Sequence, residues 1–134
     1  MFTGIVHNTG TIKSVRKLKK SFLISISSNI RLSNNDIGAS ICCNGVCLTL
    51  TKIKKNESFY YLSEETLNKS NFKNIKVNNI INLEKSLVYG QQISGHYVQG
   101  HVDTIGIIRG ISKIEKTMVV KIKISKKYKK FLVN

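Results

Sequence analysis

The chain begins to repeat itself before it ends. Its first residues, MFTGIVHNTGTI, return in altered form as VQGHVDTIGII, so that Gly4, Val6, Gly10 and Ile12 recur as Gly100, Val102, Gly106 and Ile108. A second correspondence follows: SFLISIS at Ser21–Ser27 resembles MVVKIKIS at Met118–Ser125. Self-similarity at one fixed spacing marks a duplicated structural unit, and a spacing this long is a whole small domain rather than a solenoid turn. The repeat predicts a first domain over residues 1–95 and the N-terminal part of a second, incomplete copy over residues 96–134, with the boundary near Gly95. A domain of roughly 95 residues buries enough apolar surface to fold alone.

Strand signals dominate. Phe2–His7 and Thr11–Val15 are short β-rich runs around Gly10, and Phe22, Ile24 and Ile26 alternate with Leu23 and Ser25. Ser40–Cys43 runs into Asn44-Gly45, a strong hairpin signal, and Leu48–Ile53 follows. Lys55-Asn56 is a second turn candidate before Ser58–Leu62, and Asn78-Asn79 precedes a last strand at Ile80–Leu83. Many short strands with regular turns predict a small antiparallel barrel or sandwich. One helix interrupts them: Ser63 can cap it, Glu64 and Glu65 suit its first turn, and it ends near Ser70. A further helical turn is expected around Lys126–Leu132, echoing Ser28–Leu32.

The formal charge is +15 over 134 residues. Such a balance can attract nucleic acid, anionic membranes or acidic ligands. Much of it sits in Lys121, Lys123, Lys126, Lys127, Lys129 and Lys130. Lys121 and Lys123 alternate with Val120, Ile122 and Ile124, the pattern of the wet face of a half-buried strand, so solvated lysines explain the run without a nucleic-acid partner. No apolar run has the length of a membrane span. The N-terminus lacks the basic and apolar regions of a signal peptide, and Cys42, Cys43 and Cys47 are too few and too close for a disulfide framework. A cytoplasmic setting is expected.

Few residues could carry chemistry. Cys47, in NGVCLTL, could act as a nucleophile, touch a flat ring or fill core; Thr49 would share its strand face. No neighbouring His or Lys in the sequence would activate the thiol. Cys43 and Cys47 with His96 and His101 could supply zinc ligands, but the spacings are not those of paired knuckles, so no metal is expected. His101 stands where the first copy has Ile5, so the second copy has acquired a polar group there or simply a solvated turn histidine. Ser40, Ser63 and Thr66 offer hydroxyls, the latter two equally as helix caps.

Four segments, MFTGIV, GASICCNGVCLTL, LSEETLNKSNF and SGHYVQGHVD, resemble riboflavin synthase (alpha chain) in order and spacing, over the whole chain. The resemblance implies an all-β fold: a six-stranded antiparallel Greek-key barrel with a short helix, followed by an incomplete second copy. It implies binding of 6,7-dimethyl-8-ribityllumazine and transfer of a four-carbon unit between two such molecules. The products are riboflavin and a ribitylamino-pyrimidinedione, with no metal or organic cofactor. It further implies a homotrimer in which barrels of neighbouring subunits face each other, and suggests lumazine synthase as an associated partner.

By position, the resemblance places ligand contacts on Gly4, Ile5 and Val6, on Cys47, Leu48 and Thr49, on Tyr61, Leu62, Ser63, Glu64, Glu65 and Thr66, and on Gly100, His101 and Val102. Phe2, Ser40, Cys47 and His101 are the residues expected at the reacting rings. The family's second barrel carries its own counterparts of the NGVCLT and strand-to-helix segments. These are not in the sequence given, so one complete lumazine site is expected and turnover by this chain alone is not. A lumazine- or riboflavin-binding module without turnover is the alternative. A nucleic-acid-binding barrel fits less well, because Phe59, Tyr60 and Tyr61 are bunched rather than spread over a basic face.

Overall fold

A computed structural model describes residues 1–132; Val133 and Asn134, the last two residues of the expected second copy, lie outside the described residues. The chain divides into two compact units, Met1–Asp103 and Thr104–Asn134.

The first unit is a closed antiparallel barrel of six strands: β1 (Asn8–Lys17), β2 (Phe22–Ser28), β3 (Ser40–Cys43), β4 (Val46–Lys54), β5 (Glu57–Leu62) and β6 (Ile80–Lys85). The order around it is β1-β2-β5-β4-β3-β6, with β6 pairing back onto β1. β2 pairs with β5 rather than β3, so β3, β4 and β5 form a meander and the long connections cross, the Greek-key arrangement. Closure leaves the sheet without a free edge.

Alternation explains the core. Ile12, Ile24 and Ile26, Ile41 and Cys43, Leu48 and Leu50, Tyr60 and Leu62, and Ile81 and Leu83 all point inward and are buried. Each such side chain contributes about 1.5–3 kcal/mol on full burial. Asn44 and Gly45 both take positive φ, so their two-residue turn has the twist that the β3–β4 hairpin needs. The Lys55-Asn56 turn joins β4 to β5 with Lys55 in the left-handed region.

Helix α1 (Glu64–Lys69) starts where the sequence places it: the Ser63 hydroxyl accepts the Thr66 N–H at 3.1 Å. Ser70 ends it by donating to the Thr66 carbonyl at 2.6 Å and then caps a 3-10 turn at Asn71–Asn74. Leu67 and Phe72 join the barrel core from this segment. Two expectations are corrected. Phe2–His7 is not a strand, because Gly4 turns the chain at φ +82° and only a bridge from Phe2 to Val98 remains. The 3-10 turn of the first copy lies at Asn34–Asp36, not Ser28–Leu32; there the Asp36 carboxylate accepts the Ser33 N–H at 2.7 Å.

The second unit is a hairpin, β7 (Ile107–Ile114) and β8 (Thr117–Lys123), followed by a 3-10 turn at Lys126–Phe131. It reproduces β1–β2 residue for residue. Ile12 faces Ile26 and the register then shifts at Ser14; Ile108 faces Ile122 and shifts at Gly110. The shared glycine has one cause in both copies: a Cβ at Gly10 would stand 2.6 Å from Ile26 Cγ2, and one at Gly106 would stand 2.5 Å from Ile122 Cγ2. The burial differs. Ile12 and Ile26 are fully buried, whereas Ile108 and Ile122 are 59% and 57% exposed. The half-buried face expected for Val120 and Ile122 is therefore not formed among the described residues. No helix among them is long and apolar enough to cross a membrane.

Candidate functional site

The site grows from one row across the outer face of the barrel. Ile41 and Cys43 enter the core, so Cys42 between them faces outward. In register it stands opposite Cys47 of β4 on one side and Glu84 of β6 on the other. Outward groups of a small barrel are normally wet, yet Cys42 and Glu84 are only 7% and 5% exposed. A strap covers them. Phe2 and Val98 exchange backbone hydrogen bonds at 2.8 and 3.0 Å, the Thr3 carbonyl accepts the His96 N–H at 2.9 Å, and the Gly100 carbonyl accepts the Cys47 N–H at 2.8 Å.

Gly100 must be glycine there. Its φ is +76°, and an added Cβ would stand 2.9 Å from the Cys47 nitrogen and 3.0 Å from the Cys47 Cβ. Beside this contact opens a cavity of about 360 Å³ walled by three elements: Val46 and Cys47 from β4, Glu65, Thr66, Lys69 and Ser70 from α1 and its end, and Gly100, His101, Val102 and Asp103 from the strap. That volume lies at the lower end of the range for small-molecule pockets.

Six sequence-predicted site residues thus meet: Cys47, Glu65, Thr66, Gly100, His101 and Val102. Ser40 and Thr49 face each other as the next outward pair of β3 and β4. Leu48 and Leu62 point into the core, and Tyr61 between Tyr60 and Leu62 is exposed. Ser63 caps α1 and Glu64 pairs with Lys20 at 3.3 Å. Phe2 is fully buried. Gly4 turns the chain behind Thr3 and Val6 is exposed. Ile5 lines a larger cavity of about 760 Å³ with Thr3, His7, Arg31 and Glu84. That cavity gathers only this one predicted residue, so the smaller one is the better candidate on chemical grounds. Sequence reading missed Val46, Lys69, Ser70 and Asp103. Lys69 was legible as the i+4 partner of Glu65, whereas Asp103 carries no local signal.

The polar groups of the cavity are ordered. The Thr66 hydroxyl lies 3.0 Å from Ser63 Oγ. Lys69 donates to Glu65 at 2.8 Å, and this hydrogen bond, reinforced by the Lys69 charge, holds the Glu65 carboxyl below its ordinary range. Burial, then the neighbouring Glu84 charge, pushes the Cys42 thiol up, and burial pushes Cys43 up much further. A raised pKa keeps both thiols in the less nucleophilic protonated form. Cys47, half-buried at the cavity wall, is the accessible one of the three. Cys43 points inward and Cys47 outward, so they cannot share a metal, and the described residues hold no cluster of three metal-ligating side chains. The arrangement can hold a flat ring with polar edges: a thiol and an apolar wall on one side, a hydroxyl and an ion pair on the other.

Comparison with known proteins places this geometry. Residues 3–86 match the family described as the lumazine binding domain. The chain is similar to the riboflavin synthase of Buchnera aphidicola subsp. Baizongia pistaciae, 39% identical over 81% of this chain and 51% of that protein. It is similar also to those of Bacillus amyloliquefaciens (33%) and Bacillus subtilis (32%), each over 99% of this chain and 62% of theirs. The chain therefore spans between half and two thirds of the length of these relatives. Crystal structures of LumP complexed with 6,7-dimethyl-8-(1'-D-ribityl) lumazine and with riboflavin share the fold, with TM-scores of 0.77 and 0.79 at 24% identity, over 94% and 97% of this chain and 70% and 71% of LumP. With the family match covering most of the closed barrel, the chain belongs to the lumazine-binding domain family.

Proposed function

We propose that the Met1–Asp103 barrel binds 6,7-dimethyl-8-ribityllumazine in the Cys47 cavity and that the protein is a riboflavin synthase, or the part of one that supplies this site. The convergence of Cys47, Thr66 and Gly100–Val102 on one cavity of a lumazine-binding barrel carries the reading. The relatives named riboflavin synthase support the reaction class.

In that reaction one lumazine passes a four-carbon unit to the other. The donor loses a methyl proton, a nucleophile adds to the acceptor ring, and the products are riboflavin and 5-amino-6-(D-ribitylamino)uracil. The site's share is orientation and proton handling. Holding two rings in register replaces a bimolecular encounter by a positioned one. Cys47 and His101, with Ser40 on the same outer face, are the groups that could add to or take a proton from a ring. Of the strand-to-helix segment Tyr61–Thr66, Thr66 and Glu65 line the cavity, and the Thr66 hydroxyl is the group offered to the ring edge or the ribityl chain.

A second reading has its own observation. One barrel closes among the described residues, while β7–β8 stands as a hairpin with its apolar face bare. A reaction of two lumazines needs two facing sites, and this barrel supplies one, which is the role of a binding module without turnover of its own. Titration with the lumazine, followed by fluorescence quenching, tests the shared part; no saturable quenching at high protein concentration sinks both readings. Riboflavin appearing from lumazine with the purified chain alone rejects the binding-only reading. Replacing Ser40 or Cys47 in a turnover-competent assembly slows it; unchanged rates for both reject the pocket assignment.

A further inference from the structure

We propose that Glu84 is a positioning residue: its carboxylate clasps the N-terminal segment and thereby holds the strap wall of the Cys47 cavity in place, an assignment that rests on reading this cavity as the lumazine site. Glu84 lies on β6 between the core residue Leu83 and the exposed Lys85, so it points outward, yet it is almost fully covered. Burying a carboxylate is unfavourable unless its oxygens are hydrogen-bonded. All of its bonds come from one place. One oxygen accepts the Thr3 N–H at 2.6 Å and the Thr3 hydroxyl at 2.7 Å; the other accepts the Gly4 N–H at 3.2 Å. No ion pair to it is found among the described residues. Carboxylate and segment therefore stand or fall together.

The segment in turn carries the strap. From Glu84 the connection runs through Thr3 to His96, through Phe2 to Val98, and on to Gly100, which accepts the Cys47 N–H. Beneath it the sheet joins the same ends, Glu84 to Cys42 to Cys47. The strap is thus a bridge over three strands, with Glu84 as one pier and Cys47 as the other. Glu84 does not line the Cys47 cavity, so its effect is indirect. Its loss leaves the barrel ladder intact and frees one wall of the site.

The test uses the full chain with Glu84→Gln, Glu84→Ala and Gly95→Ala. The last loosens the same clasp without touching Glu84, since a Cβ at Gly95 would collide with the Thr3 carbonyl. Amide exchange at Phe2, His96, Val98 and Cys47 should rise by about tenfold or more, the scale of losing hydrogen bonds to a charged group. Exchange at Ile24, Leu50 and Tyr60 should stay unchanged. Cys47 should react faster with a thiol reagent, and lumazine affinity should fall by a similar factor, less in Glu84→Gln than in Glu84→Ala. Unchanged strap amides in all three variants overturn the proposal. So does a uniform rise across the barrel, which marks a merely stabilising residue, or a released strap with full affinity. Should Glu84→Ala not fold, the other two variants decide. If the unmodified chain binds no lumazine, the functional reading fails, while exchange and labelling still judge the clasp.

Discussion

Replacing Gly100 by alanine probes the strap at its contact with the site. The residue sits at φ +76°, where an L side chain is disfavoured by about 1–2 kcal/mol. The new Cβ would also stand 2.9 Å from the Cys47 nitrogen, a backbone atom of β4 that cannot swing aside. Relief requires the strap to lift, which breaks the Cys47 N–H bond to the Gly100 carbonyl, a cost of about 0.5–1.5 kcal/mol that opening carries equally in wild type and that therefore cancels. The strain alone, about 1–2 kcal/mol from the backbone before any residual clash, favours opening by about 5- to 30-fold in the local equilibrium. None of it falls on the barrel ladder, so the melting temperature should move little. The assay is amide exchange and thiol labelling at Cys47, with lumazine titration alongside. Gly100→Asn separates the two causes, since asparagine tolerates this φ but brings the same Cβ. Gly38→Ala is the control: its φ is +92°, but its Cβ would meet nothing within 4 Å and it lies outside the strap. Wild-type exchange and affinity in Gly100→Ala, or a larger effect from Gly38→Ala at Cys47, would refute the steric argument.

Further predictions concern the scaffold. Ile26→Ala should cost about 2–5 kcal/mol in urea unfolding because Ile26 is fully buried, whereas Ile122→Ala at the equivalent, exposed position should change stability by less than about 0.5 kcal/mol; equal losses would contradict the burial difference. The Tyr60 hydroxyl is buried without a well-formed hydrogen bond among the described residues, and burial raises its pKa, an effect the nearby Ser58 side chain offsets only in part. Tyr60→Phe should therefore leave thermal stability unchanged or raise it, and a fall of more than about 1 kcal/mol would reveal a bonded hydroxyl. Asp36 is held below its ordinary value of 3.8 chiefly by the Lys85 hydrogen bond. A depressed carboxyl stabilises the fold above that value and loses the contribution as pH falls through the still lower folded value. Asp36→Asn should cost no more than about 1 kcal/mol near pH 7, the pair being partly exposed, and progressively less as the pH is lowered; a gap that does not shrink in acid would exclude this source.

The strands, turns and helix start were legible in local sequence, which left barrel or sandwich open. Alternation at Phe22–Ile26 and Ser58–Leu62, the Asn44-Gly45 turn and the Ser63 cap are local signals, because period-two burial, positive φ and an orphan N–H are each decided within a few residues. The repeat was legible for the same reason: Gly10 and Gly106 each make room for an isoleucine on the neighbouring strand of their own hairpin. Tertiary structure decided the rest. Only closure shows that Cys42 and Glu84, ordinary outward positions of β3 and β6, share a row with Cys47. Only the strap explains why they are covered, since the residues that cover them lie at Thr3–Gly4 and His96–Gly100, far from β3 and β4 in the chain. The two equivalent isoleucine pairs make the same point. Identical register places Ile12 against Ile26 and Ile108 against Ile122, yet one pair is core and the other surface. Pattern fixes which way a side chain points, whereas burial depends on which strands arrive to cover it.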